Sequence, residues 1–180
     1  MRPLTERYFK WMLNLMTVMA ILLAGAGQAH CESEDSITRW VATRMIITKK
    51  YSMPVVRFVE KEELNRIFTA GSKHYMARWT ADHGSSTAEN LMGVYLDKAV
   101  GLFDPKSRVI YVGSFLPDCQ REAVLAHEIA HYFQYIFGGP VVEEGFAAEA
   151  LLMEREIEAS TIERQYEKQF CDGQAVARRP

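Results

Sequence analysis

The sequence has no excess of charge of either sign. Its 21 lysines and arginines face 23 aspartates and glutamates, a net charge of −2, and the two signs are mixed along the chain. Without a basic stripe there is no electrostatic footprint for nucleic acid. Cysteine is also scarce: Cys31, Cys119 and Cys171 lie far apart and none neighbours a histidine cluster, which excludes a cysteine-based zinc site. There is no internal repeat and no low-complexity tract. A full membrane span is missing too. The main apolar run, Trp11 to Ala26, is interrupted by Asn14 and Thr17 and falls short of the roughly 20 residues that a spanning helix needs.

That run is preceded by Arg2, Arg7 and Lys10 and followed by small and polar residues to Ala29, the pattern of a secretory signal peptide. Residues 1–29 are therefore expected to be removed and the mature protein exported, to the periplasm or beyond, with no stable membrane span. His30 before Cys31 argues against lipoprotein processing. Removal of the leader leaves 18 bases against 22 acids, a net charge of −4. In an exported protein two of the three cysteines are expected to be oxidised to a disulfide. With 180 residues and 48% apolar content, the chain is sized for one domain with a real core, residues 30–171, and 172–180 reads as a flexible tail.

Periodicity predicts a first helix capped by Asp35 or Ser36, with Ile37, Trp40, Val41, Met45 and Ile46 on one face, ending near Lys50. Val55–Val59 has the β-branched and aromatic content of a strand, and Glu60–Phe68 suits a second helix. The polar stretch from Gly71 to Asn90, with Gly84-Ser85-Ser86, is expected to be a long loop, and Leu91–Leu96 a strand. Val100–Phe103 and Val109–Val112 flank Asp104-Pro105-Lys106-Ser107, which reads as a hairpin. Two helices follow, Asp118–Phe137 and Val142–Phe170, divided by Gly138-Gly139-Pro140. Cys119 and Cys171 flank this unit and are favoured as the disulfide pair.

The chemistry is concentrated in His127-Glu128-Ile129-Ala130-His131. Histidines at i and i+4 lie on one helix face about a turn apart, so both imidazoles can reach a single ion. Glu128, next to the first of them, is placed to take a proton from an attacking water and pass it to a leaving amine. The apolar flanks Val124-Leu125-Ala126 and Tyr132-Phe133, free of proline and glycine, suit a buried metal helix.

A catalytic zinc needs a third protein ligand and an open position. Downstream lie Glu143, Glu144, Glu149 and Glu154. In an antiparallel helical pair His131 lies about 10 Å before the turn and Glu144 about 6 Å beyond it, which brings the two roughly level. Glu143 is an alternative, although carboxylates also occur at helix starts to complement the dipole. A wheel drawn on Phe146, Ala147, Ala150, Leu151 and Ile157 as the inward face leaves Glu149 in solvent. The same wheel puts Glu154 inside, where an unpaired carboxylate is costly, so it is expected to partner a ligand histidine, form a plain salt bridge or snorkel to solvent. His74 and His83 fall in the expected polar loop as weaker candidates for contact with substrate or a second metal.

Val124 to His131, followed by Pro140 and by Glu143-Glu144-Gly145-Phe146-Ala147, resembles the gluzincin clan of zinc metallopeptidases, which includes thermolysin and the aminopeptidases with an Asn-Glu-Gly-Phe-Ala block. The resemblance covers residues 103–157, about a third of the chain. It implies one zinc ion held by His127, His131 and Glu144, with Glu128 as the catalytic base and a peptide or protein as substrate. The fold implied is a minimal α+β zincin-like domain: a short mixed or antiparallel sheet packed on the active-site helix and a returning C-terminal helix. Arg108–Gly113 would be the edge strand that aligns substrate, and Tyr111, Tyr132 and Tyr135 are candidates for the group that stabilises the oxyanion. Only twelve residues separate His131 from Glu144, so the cleft is expected to be minimal. The rival expectation is an exported zinc-binding protein without proteolytic activity.

Overall fold

A computed structural model describes residues 32–140 and 146–171. The expected signal peptide, Cys31, Glu143, Glu144 and residues 172–180 lie outside the described residues, as do several side chains in the middle of the chain. The architecture is α+β, as expected. In chain order the elements are α1 (Glu34–Arg44), β1 (Val55–Val59), α2 (Lys61–His83), α3 (Ser85–Lys98), β2 (Gly101–Asp104), β3 (Val109–Gly113), α4 (Asp118–Gly138) and α5 (Phe146–Tyr166). The last continues into a π-helical turn, Glu167–Cys171.

Helix α1 is capped by Ser33, whose Oγ accepts from the Ser36 amide. The helix stops at Arg44, short of Lys50. Ile46 takes a left-handed φ of 56°, and the Ile47 N–H closes back on the Ala42 carbonyl. That closure is a Schellman-type stop, made without glycine.

The sheet has the order β1-β3-β2. Strand β1 runs parallel to β3, with Val55 opposite Val109 and Val59 opposite Gly113, and β2 pairs antiparallel with β3, with Asp104 opposite Val109. The β2–β3 hairpin confirms the turn at Asp104, whose side chain accepts from the Lys106 amide and the Ser107 hydroxyl.

The expectations for residues 71–96 are corrected. This stretch is helical: α2 runs on to His83, and α3 occupies the place of the expected strand at Leu91–Leu96. Gly84, at φ 84°, separates the two helices and is the only real punctuation there, since Gly71 and Gly93 sit at ordinary helical positions with open space at Cβ. A short apolar run such as Leu91–Leu96 has no period that separates strand from helix, and here Val94 and Tyr95 are exposed. Lys61 Nζ, at the start of α2, donates to the Asp97 and Ala99 carbonyls at 3.0 and 2.7 Å and closes the end of α3. His74 and His83 thus lie on a helix rather than in a loop.

The core sits between the sheet, α1, α4 and the C-terminal half of α5. Helix α4 is buried nearly all round, from Glu122 through Gln134 apart from His127 and His131, as a central helix with partners on several sides must be. The buried Glu122 is satisfied by the Glu32 amide and the Tyr166 hydroxyl.

The inward face of α5 is not the expected one. Leu151 and Ile157 are exposed, as are Ala150, Glu149 and Glu154, while Ala148, Ala159, Ile162 and Tyr166 are buried. The helix packs mainly through its second half, so a wheel anchored on its first apolar residues selects the solvent side. Glu154 is therefore not the partner of a ligand histidine; Glu149 is in solvent, as expected. Cys119 and Cys171 form a disulfide across a separation of 52 residues. Closing a loop of that size contributes about 4 kcal/mol in the chain-entropy account, and it ties the start of α4 to the end of the returning helix.

Candidate metal centre

Helix α4 delivers His127 and His131 from one face, one turn apart, with their Nε2 atoms 3.1 Å from each other and their ring planes 70° apart. Each ring is largely covered, with side-chain exposures of 16% and 18%. Helix α5 crosses this face and brings the Glu156 carboxylate to 3.7 Å from His127 Nε2 and 3.3 Å from His131 Nε2. One atom from each of the three residues lies within 4.8 Å of the others.

The far side of each ring is held as well. His127 Nδ1 lies 3.0 Å from Glu163 Oε2, and His131 Nδ1 lies 2.9 Å from Gln134 Oε1. A carboxylate facing Nδ1 fixes the hydrogen there and leaves the Nε2 lone pair of His127 pointing at the cluster. Two imidazole nitrogens and a carboxylate oxygen converging on one small space form the donor set and number of a catalytic zinc site, with room for a fourth position. The residues present thus fit zinc.

Glu128 points to the other side of the cluster and is only 7% exposed. Its carboxyl packs against strand β2: a Cβ on Gly101 would sit 2.7 Å from Glu128 Oε1 and 2.6 Å from Val124 Cγ1. The bare glycine is what lets the acid fit. Burial pushes the Glu128 carboxyl above the ordinary carboxylate range, partly opposed by charge on His131 and His127 and by the hydrogen bond from the Phe103 backbone. For His131, burial pulls the pKa down, but the hydrogen bond to Glu156 and the negative charge of Glu128 and Glu156 outweigh it, so the net shift is upward. Glu156 is lowered, first by that hydrogen bond to His131 and then by the charge of both histidines, against the effect of partial burial. The cluster thus favours a positive charge between the rings and the carboxylate, which a proton supplies when no cation does.

These groups line an open cleft of about 550 Å³, walled by Gly101, Leu102 and Phe103 of β2 and by Phe68, Tyr135 and Leu152. The strand along the cleft is β2, not Arg108–Gly113. Strand β3 is the central strand, buried at four of its five positions, and a sequence apolar on both faces marks an interior strand rather than an edge. Among the three tyrosines, Tyr132 donates its hydroxyl to the Ser52 carbonyl, away from the cleft, and Tyr111 does not line it; Tyr135 does.

Of the residues singled out from the sequence, His127, Glu128 and His131 come together as expected, and Glu144 lies outside the described residues. Glu156, Glu163 and Gln134 were not anticipated. The signal for the first two was their seven-residue spacing, two helical turns, beside the buried series Ala159, Ile162 and Tyr166. No protein-family model matches this sequence, and no curated protein or solved structure shows significant similarity to it.

Proposed function

We propose that this protein is a zinc-dependent peptidase of the gluzincin type, with His127, His131 and Glu156 as metal ligands and Glu128 as the base. One observation carries the reading: two imidazole Nε2 atoms and a carboxylate oxygen lie within 4.8 Å of one another, with a buried glutamate next to the first histidine in sequence. A zinc ion there would act as a Lewis acid on the scissile carbonyl and lower the pKa of water. Glu128, buried beside the first histidine, takes the proton from the attacking water and returns it to the leaving amine. Strand β2, whose outer edge pairs with no strand among the described residues, offers backbone groups to an extended peptide lying in the open cleft beside it. Tyr135 is the tyrosine available to the oxyanion.

Export is part of the same proposal, supported by the residue pattern of 1–29 and by the Cys119–Cys171 disulfide, a bond at home in an oxidising compartment. Among the described residues no helix is long and apolar enough to cross a membrane. The test is metal content and cleavage of a denatured protein mixture by the parent and by Glu128→Gln. The reading requires about one zinc per chain in both and cleavage only by the parent. Zinc in both with no cleavage that depends on Glu128 would leave a non-proteolytic zinc protein.

A further inference from the structure

We propose that Gln134 is a positioning residue that fixes the tautomer of His131, so that the Nε2 lone pair of that ring faces the metal cluster, and that α5 dictates its orientation. The proposal rests on the metal-site reading above. Gln134 is buried, 8% exposed, one turn beyond Ala130 on α4. Its amide nitrogen carries two hydrogens, and both have acceptors on α5: the Arg155 carbonyl and Glu158 Oε2, each at 2.9 Å. Neither acceptor has a hydrogen to give. The nitrogen end of the amide is therefore bound to face α5, which turns the oxygen end towards His131 Nδ1 at 2.9 Å.

An amide oxygen only accepts, so the ring nitrogen opposite it carries the hydrogen. In a neutral ring this leaves the lone pair on Nε2, the atom that lies 3.1 Å from His127 Nε2 and 3.3 Å from Glu156 Oε1. Turning the amide over would set its oxygen against two acceptors, losing both bonds to α5, and would let its NH2 donate to Nδ1 only in the opposite tautomer. Helix α5 thus acts on the centre in three ways. Glu156 supplies a ligand atom, Glu163 holds His127, and Glu158 holds His131 through Gln134.

The test uses zinc affinity, from competition with a chromogenic chelator, together with nitrogen-15 NMR of the His131 ring in the metal-free protein above the titration range of the histidines. Three variants are compared with the parent: Gln134→Leu, Gln134→Glu, and the exchange Gln134→Glu/Glu158→Gln. Gln134→Leu keeps the bulk and removes the acceptor, and is expected to weaken zinc binding about 10- to 100-fold and to give a mixture of His131 tautomers. Gln134→Glu sets two carboxylates against each other and is also expected to weaken binding. The exchange restores an amide-to-carboxylate bond across the gap between α4 and α5 but leaves the Arg155 carbonyl without its donor, and is expected to bind zinc more tightly than Gln134→Leu though more weakly than the parent, with a single Nδ1–H tautomer. The proposal is overturned if Gln134→Leu keeps both the parent's affinity and its single tautomer, or if the exchange binds zinc no better than Gln134→Leu. Should the parent itself take up no zinc, the peptidase reading fails, while the tautomer comparison still decides the role of Gln134.

Discussion

Glu163 Oε2 lies 3.0 Å from His127 Nδ1, a contact between residues 36 positions apart that joins the returning helix to the metal helix. The carboxylate orients the ring and makes Nε2 the better donor. Glu163→Ala is therefore expected to weaken zinc binding about 10- to 100-fold, and Glu163→Gln, which keeps an acceptor, to weaken it less. Chelator competition measures both.

Two turns before Glu163, Glu156 offers its carboxylate to both imidazoles. Glu156→Gln is expected to cost more than the roughly 100-fold loss typical of an outer hydrogen-bond partner. Glu144→Gln, at the position that the gluzincin block indicates, is measured beside it, and assignment of Glu156 as the ligand requires the smaller loss at Glu144. The reverse ranking would make Glu144 the ligand.

Gly101 matters because of what stands over it. A methyl group there would meet Glu128 Oε1 at 2.7 Å and Val124 Cγ1 at 2.6 Å, so Gly101→Ala has to displace the base. Misplacing a catalytic group by about 1 Å can cost on the order of 100-fold in rate. The expected result is a kcat lower by about 10- to 100-fold with zinc content unchanged. Loss of zinc along with rate would place the strain at the histidines instead.

The buried Glu128 gives the metal-free protein a pH dependence with a definite sign. Its folded pKa is raised, chiefly by burial, so the folded state holds the proton more tightly than the unfolded chain does. The stability this contributes is fully present below the ordinary carboxylate pKa and is lost as pH rises through the raised value. Glu128→Gln carries no such group and should gain in stability relative to the parent as pH rises across that interval. Urea unfolding of both metal-free proteins at acidic and neutral pH checks this; an advantage that shrinks with rising pH would contradict it.

The metal helix was legible because its evidence is local. His127 and His131 share a face by spacing alone, and the Gly138-Gly139-Pro140 break is plain in the chain. Strands β1, β2 and β3 were found for the same reason. What the sequence did not yield depended, apart from the helices around Gly84, on contacts between distant segments. Gly84 divides two helices rather than sitting in a loop, because the stretch around it contains no proline and few β-branched residues. Glu156 and Glu163 emerge only once the second half of α5 is known to pack on α4, whereas its first half, with Leu151 and Leu152 exposed, supplies the stronger apolar signal. Gln134 had no local pattern at all; its role depends on Arg155 and Glu158, more than twenty residues away. The position of β3 in the sheet also followed from topology, since β1 pairs with it from far upstream.

The central claim is that Glu128 performs proteolysis beside a zinc ion held by His127 and His131. The most direct measurement compares the zinc-loaded parent with zinc-loaded Glu128→Gln on a denatured protein substrate, with metal content determined on the same samples. The account predicts near-stoichiometric zinc in both and cleavage by the parent alone. Zinc in neither, or equal cleavage by both, would contradict it.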